Sequence, residues 1–150
     1  MLVVIAEKEE LKLVEELGYS NNPVVITGVG GMNVVNALKS LPKDTEIVNI
    51  GYCGSNEYKV GTVVRVVGVS TNHDVAKFYE PSKLLNEDYT KKYDKMAFCY
   101  TSTDFVEKTT KDIPCVFDME LAFICALFDN VQAIKVVSDK LSIKQYRENS

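Results

Sequence analysis

The stretch Val24–Gly51, VVITGVGGMNVVNALKSLPKDTEIVNIG, decides the fold class. It opens on an apolar, β-branched run, Val24–Val29, which reads as a strand. Gly28, Gly30 and Gly31 turn that strand into a helix expected from about Met32 to Leu41. Pro42 stops the helix, because proline lacks the N–H and crowds the preceding turn. Glu46–Ile50 is again a strand, ending at Gly51. Short apolar runs of this kind suit strands buried on both faces, as in parallel sheets. Strand, helix and strand in succession form the crossover that joins parallel neighbours.

The same alternation continues outward. Upstream, Leu2–Ala6 reads as a buried strand, followed by a helix from Glu9 to Leu17 with Leu11, Val14 and Leu17 at helical spacing and Gly18 as its C-cap. Downstream, Thr62–Ser70, Lys95–Thr101 and the short Pro114–Phe117 read as strands. Met119–Phe128 is apolar almost all round and reads as a buried helix. Val131–Ser138 is the last strand, and the tail from Lys140 is short and polar. The charged, tyrosine-rich segment from Asp74 to Asp94 reads as a loop. These elements predict an α/β fold, a mainly parallel (mixed) central sheet flanked by helices on both faces, in one domain spanning residues 1–150.

Composition narrows the function classes. With 17 basic and 21 acidic residues the net charge is −4, which argues against nucleic acid or an anionic membrane as partner. The four cysteines, Cys53, Cys99, Cys115 and Cys125, form no C-x-x-C pair, and His73 is the one histidine. A structural zinc site needs four such ligands at short paired spacings, so no metal is expected. Cysteines inside apolar runs read as small buried hydrophobes in a reducing, cytoplasmic setting. The N-terminus lacks the basic start of an export signal, and no apolar run is long enough to span a membrane.

In open α/β sheets, ligands bind beyond the carboxyl ends of the strands. Those ends read Ala6-Glu7-Lys8-Glu9-Glu10, Gly28-Val29-Gly30-Gly31, Gly51-Tyr52-Cys53-Gly54-Ser55 and Ser138-Asp139. Acids and glycine turns converge on one rim, as a site for a polar small molecule requires. The turn at Gly28 is not a dinucleotide fingerprint, because Asn33 stands where the third glycine belongs. Each acid has two readings. Asp139 either caps the tail or serves the site, and Glu10 either favours a helix start through the dipole or serves the site. Glu120 lies among apolar neighbours in the expected helix, where a carboxylate needs a partner, either a ligand's hydroxyl pair or a backbone or lysine donor. His73 stands alone in a loop, and no Ser/His/Asp arrangement has supporting spacing.

The stretches IAEKEELKLV, ITGVGGMNVV, VNIGYCGS, KVGTVVRVVGVSTNHD, TSTDFV, VFDMELAFI and IKVVSDKLS follow one another in the order seen in the nucleoside phosphorylase and nucleosidase superfamily. The chain most resembles its methylthioadenosine/S-adenosylhomocysteine nucleosidase branch. That resemblance implies a single nucleoside phosphorylase-like domain that binds a purine nucleoside and hydrolyses its N-glycosidic bond without a cofactor. It implies that Asp139 is the general acid that protonates the purine at N7, with Ser138 orienting it. By the same resemblance Glu120 holds the ribose hydroxyls, Met119 packs on the sugar and Glu10 activates the attacking water. Phe105 and Val106 stack on and hydrogen-bond the base, Gly54 joins the substrate-binding set, and Phe78 or Tyr79 covers the 5′ substituent across a dimer interface. Phosphorylases of this superfamily carry arginines for phosphate, whereas Arg65 and Arg147 are the two arginines here and neither matches, so water is the expected nucleophile. A phosphorylase and a non-catalytic nucleoside-binding relative are the alternatives. The helix that follows the acid motif in such relatives is almost absent here, which should leave an apolar surface and favour a homodimer.

Overall fold

A computed structural model describes residues 1–71, 83–103, 105–107, 113–142 and 148. In chain order the elements are β1 (Leu2–Ile5), a 3-10 turn (Lys8–Glu10), α1 (Leu11–Glu16), β2 (Val24–Ile26), α2 (Gly31–Leu38), β3 (Glu46–Ser55), β4 (Val63–Thr71), β5 (Lys83–Leu84), β6 (Met96–Thr101), β7 (Cys115–Asp118), α3 (Leu121–Leu127) and β8 (Asn130–Asp139). His73, Phe78 and Tyr79 lie outside the described residues.

The sheet is mixed and mainly parallel. β1 pairs in parallel with β2 on one side and β3 on the other, and β8 runs parallel to β3 along its length. β4 is antiparallel to β8, β6 is parallel to β4, and β7 is parallel to β6. β7 then returns to the end of β3, pairing Gly54 with Phe117 and Ser55 with Val116 in antiparallel register. Strands β3, β8, β4, β6 and β7 therefore close a ring, and β1 with β2 extends from it as a wing. β5 adds an antiparallel edge to β4.

Helices cover both faces, and strand alternation sorts the core between them. Val4 and Ile47 pack with Val34 and Leu38 of α2 and Leu121 and Ile124 of α3. Their neighbours Val3, Ile5, Val48 and Ile50 pack with Leu13 and Val14 of α1 on the opposite side. All four cysteines are buried, and none forms a disulfide.

The boundaries differ from the sequence expectation where partners are distant in the chain. β3 does not end at Gly51 but continues to Ser55, because β8 pairs with it throughout and β7 takes its last residues. α3 starts at Leu121, so Met119 and Glu120 precede the helix instead of lying inside it. β2 stops at Ile26, and α2 ends at Leu38. β5 falls within the segment expected to be loop; its Lys83 ammonium donates to Cys125 O at 2.9 Å and Phe128 O at 2.8 Å, capping the carboxyl end of α3.

Inside the ring a buried ion pair joins β8 to β7: Lys135 Nζ lies 3.0 Å from Asp118 Oδ2. Asp118 also accepts from Thr101 Oγ1 at 2.6 Å, Cys99 Sγ at 3.2 Å and Leu121 N at 2.8 Å. Thr101 Oγ1 in turn accepts from Ala122 N at 2.9 Å, so the first amides of α3 are satisfied from two strands. Burial works against the Asp118 charge, but Lys135, Thr101 and Leu121 together hold its carboxyl below the usual range.

Removing one partner of a buried pair strands the other charge. Lys135→Met should therefore lower unfolding stability by about 3–5 kcal/mol, and adding Asp118→Asn should restore part of that loss. Urea-unfolding midpoints of the single and double variants check this.

Candidate active site

The site lies where β3 changes partners. β1 pairs with β3 no further than Asn49, and β7 begins only at Gly54. The edge between them is left without a strand, directly beyond the carboxyl end of β1. A cavity of about 340 Å³ opens there, and Glu10, Glu120 and Asp139 all line it.

Glu10 closes the gap in the ladder. The chain leaves β1 through a 3-10 turn with a capping box between Glu7 and Glu10, which swings the Glu10 side chain back over the strand end. Its Oε1 accepts from Ala6 N at 2.9 Å and Glu7 N at 3.1 Å, and its Oε2 accepts from Tyr52 N at 2.8 Å. Burial pushes its carboxyl up, against the opposing pull of Lys135 and the three amides. Gly51 is required here: a Cβ would lie 2.8 Å from Glu10 Oε2 and 3.3 Å from Lys135 Nζ.

Asp139 ends β8 and is fully buried. It accepts from Ser138 Oγ at 3.1 Å and from Leu141 N at 2.8 Å, and burial raises its carboxyl. Across from it, a Cβ on Gly54 would come 2.8 Å from Asp139 Oδ1. The two glycines of Gly51-Tyr52-Cys53-Gly54, expected to form a turn, are thus in-strand positions that make room for two carboxylates.

Glu120 stands just ahead of α3. Its Oε2 accepts from Gly30 N at 2.8 Å, the amide that Gly30 presents by taking φ +92° at the start of α2. Burial and the neighbouring Asp118 charge push its carboxyl up to about 7. The sequence left its partner open between ligand, backbone and lysine; a backbone amide takes one oxygen.

The walls between the acids are mostly apolar, from Ala6, Val29, Phe105, Phe117 and Met119. Val106 lies off the main cavity, in an adjoining recess of about 30 Å³ that it shares with Gly54, Phe105 and Asp139. Ser138 sits behind Asp139, with its hydroxyl also 3.4 Å from Cys53 O. Tyr52 and Thr103 line the cavity but were not singled out from sequence, and neither was Asp118. Lys135 was not singled out from sequence either, and its partner Asp118 comes from another strand. Among the described residues, no arginine or lysine lines the cavity. Arg65 is instead engaged by Glu87 and by Tyr93 O. An anionic ligand group would therefore meet carboxylates without a counter-charge. A neutral ligand with hydroxyls and a flat ring fits the three acceptors and the apolar walls.

The architecture is the nucleoside phosphorylase and nucleosidase fold. The chain is similar to the 5′-methylthioadenosine/S-adenosylhomocysteine nucleosidase of Helicobacter pylori, with TM-score 0.76 and 13% identity over 99% of this chain and 89% of the other. The corresponding nucleosidase of Neisseria meningitidis, in complex with methylthio-immucillin-A, gives TM-score 0.75 and 17% identity over 99% and 90% of the two chains. Futalosine hydrolase of Helicobacter pylori gives TM-score 0.76 and 12% identity over 99% and 89%. No family model and no curated protein sequence matches the chain.

The raised Glu120 carboxyl has a pH signature. A carboxyl whose folded value lies above its ordinary 4.5 stabilises the fold fully below that value, and its contribution is lost as pH rises through about 7. Glu120→Gln cannot ionise, so its melting temperature relative to the parent should rise steadily across that window and level off above it. Thermal unfolding of both proteins over the same pH series measures the difference.

Proposed function

We propose that the chain is a purine nucleosidase that uses water to break the N-glycosidic bond of a nucleoside such as methylthioadenosine or S-adenosylhomocysteine. The observation that carries this is the convergence of Glu10, Glu120 and Asp139, from separate elements, on one cavity whose described wall residues include no arginine or lysine. Breaking the bond leaves positive charge on the sugar and negative charge on the departing base. Asp139, held protonated more readily by burial, gives its proton to the purine at N7, with Ser138 orienting it. Glu120 accepts from the ribose hydroxyls and Met119 packs on the sugar. Glu10 takes a proton from the water that attacks the sugar carbon. An acid at the leaving group and a base for water on opposite sides of the sugar is the logic of inverting glycosidases. Phe105 and Val106 receive the base.

Water is the proposed nucleophile because, among the described residues, the cavity wall offers no arginine or lysine to hold phosphate. The four buried cysteines, none in a disulfide, suit a cytoplasmic enzyme. We also propose a homodimer. Met32 is 80% exposed beside exposed Ile26, Val29 and Val35, an apolar face that a second copy would cover. Sedimentation velocity at micromolar concentration should give the mass of a dimer.

The deciding assay incubates the protein with methylthioadenosine, S-adenosylhomocysteine, adenosine, inosine and futalosine, with and without phosphate, and follows free base. Base release should be independent of phosphate. Dependence on phosphate would make the protein a phosphorylase, and binding without release would make it a non-catalytic relative. Asp139→Asn should lower turnover by about 10²–10⁴ with affinity retained, since the amide keeps the shape but carries no transferable proton. Glu120→Gln should weaken nucleoside affinity as well as turnover, because charge-assisted hydrogen bonds to the sugar become neutral ones. Turnover and calorimetric affinity for both variants separate the two roles.

A further inference from the structure

Directly after Asp139 the chain makes a turn that its sequence does not favour. Among the described non-glycine residues only Leu141 has a positive φ, at 67°. Leucine has no polar side chain to offset the crowding of its Cβ there, unlike asparagine or aspartate. Backbone strain of this kind persists where the surroundings over-determine it, and it clusters at functional sites. The turn has a visible product. It brings Leu141 N–H to 2.8 Å from Asp139 Oδ1 and places the Ser142 N–H on the same carboxylate. The Leu141 side chain closes over the same point: a Cβ on Gly54 would meet Asp139 Oδ1 at 2.8 Å and Leu141 Cδ2 at 3.0 Å.

We propose that Leu141 is a positioning residue for Asp139, and that its left-handed backbone, not its side chain, sets which carboxyl oxygen carries the proton. This rests on Asp139 being the acid. A backbone amide can only donate, so Oδ1, bound by Leu141 N–H, is kept as the acceptor oxygen. Oδ2 accepts from the Ser138 hydroxyl at 3.1 Å and keeps a second lone pair for the proton destined for the base. The turn presents that oxygen in one orientation before any ligand enters, which is what proton transfer in fixed geometry requires. Among the described residues, the other ionisable groups around Asp139 are the Cys53 thiol on β3 and, around the cavity, Glu7, Glu10, Tyr52, Asp118 and Glu120. The Lys140 ammonium is engaged by Asn56 O at 3.1 Å.

The test varies the backbone preference of position 141 independently of size. Leu141→Gly and Leu141→Asn accept the left-handed conformation, whereas Leu141→Val resists it. Adenine release from 5′-methylthioadenosine should stay within about two-fold for the Gly and Asn variants. It should fall about ten-fold for the Val variant. In parallel, the Asp139 carboxyl is titrated by carbon NMR in the ligand-free proteins, with Asp139→Asn assigning the signal. Loss of the two amide donors should raise its pKa in the Val variant and leave it in place in the Gly and Asn variants. Equal losses in the Gly and Val variants would assign the effect to the side chain and overturn the proposal. So would an unshifted titration in the Val variant. If Leu141→Val fails to fold, a shifted Asp139 titration in Leu141→Asn overturns it and an unshifted one sustains it. Wild-type-like turnover in Asp139→Asn would instead remove the acid assignment, and the NMR series would still decide whether the turn positions the carboxyl.

Discussion

The ammonium of Lys135 inside the strand ring is the constraint on which the site depends. Lys135 and Asp118 are 2% and 1% exposed at their side chains, so neither charge is hydrated. A buried pair is tolerated when geometry is good and the remaining donors and acceptors are satisfied, and an apolar pair of similar volume is often at least as stable. Here the Asp118 carboxylate has four donors, from Lys135, Thr101, Cys99 and Leu121. Two of them come from β6 and one from the start of α3. The pair thereby ties the closure of the ring to the position of α3, and with it to Glu120. The same ammonium acts on Glu10 and Glu120, and both act on it in return. Its retention in place of an apolar contact makes sense as a positive charge buried among acids.

Cavity and carboxylate placement follow from how β3 divides its edge. A ten-residue strand is long enough to serve β1 at its start and β7 at its end. What lies between is a length of unpaired backbone, and an unpaired buried amide is costly. Glu10 meets that need at Tyr52 N, so a carboxylate is drawn to the split by the backbone itself. Gly51 and Gly54 then give the carboxylates of Glu10 and Asp139 room to lie against the strand. The acids are strained in a useful direction: burial raises all three, while amides and hydroxyls keep them aligned.

Much of this was legible in the chain. The apolar runs at Leu2–Ala6 and Val131–Ser138 could be read as buried strands because their composition leaves little to face solvent. Strand ends carrying Glu10 and Asp139 could be read as a rim, because carboxyl ends of parallel strands share one side of a sheet. What local sequence could not supply was the pairing across distance. Gly51 and Gly54 resemble turn residues until β8 and β7 are laid beside them, and Glu120 resembles a helix-interior residue until Asp118 is seen to bind Leu121 N and set the helix start.

Residue type and periodicity by themselves determined the α/β class and put acids at the strand ends, since each depends on neighbours within a few residues. Only the tertiary structure decided that β7 returns to β3, that Asp118 meets Lys135, that Lys83 caps α3, and that Leu141 adopts a left-handed turn beneath Asp139. Those outcomes belong to contacts between segments up to about sixty residues apart, and their energies come from closing buried polar groups against one another, a requirement that no single stretch of chain contains.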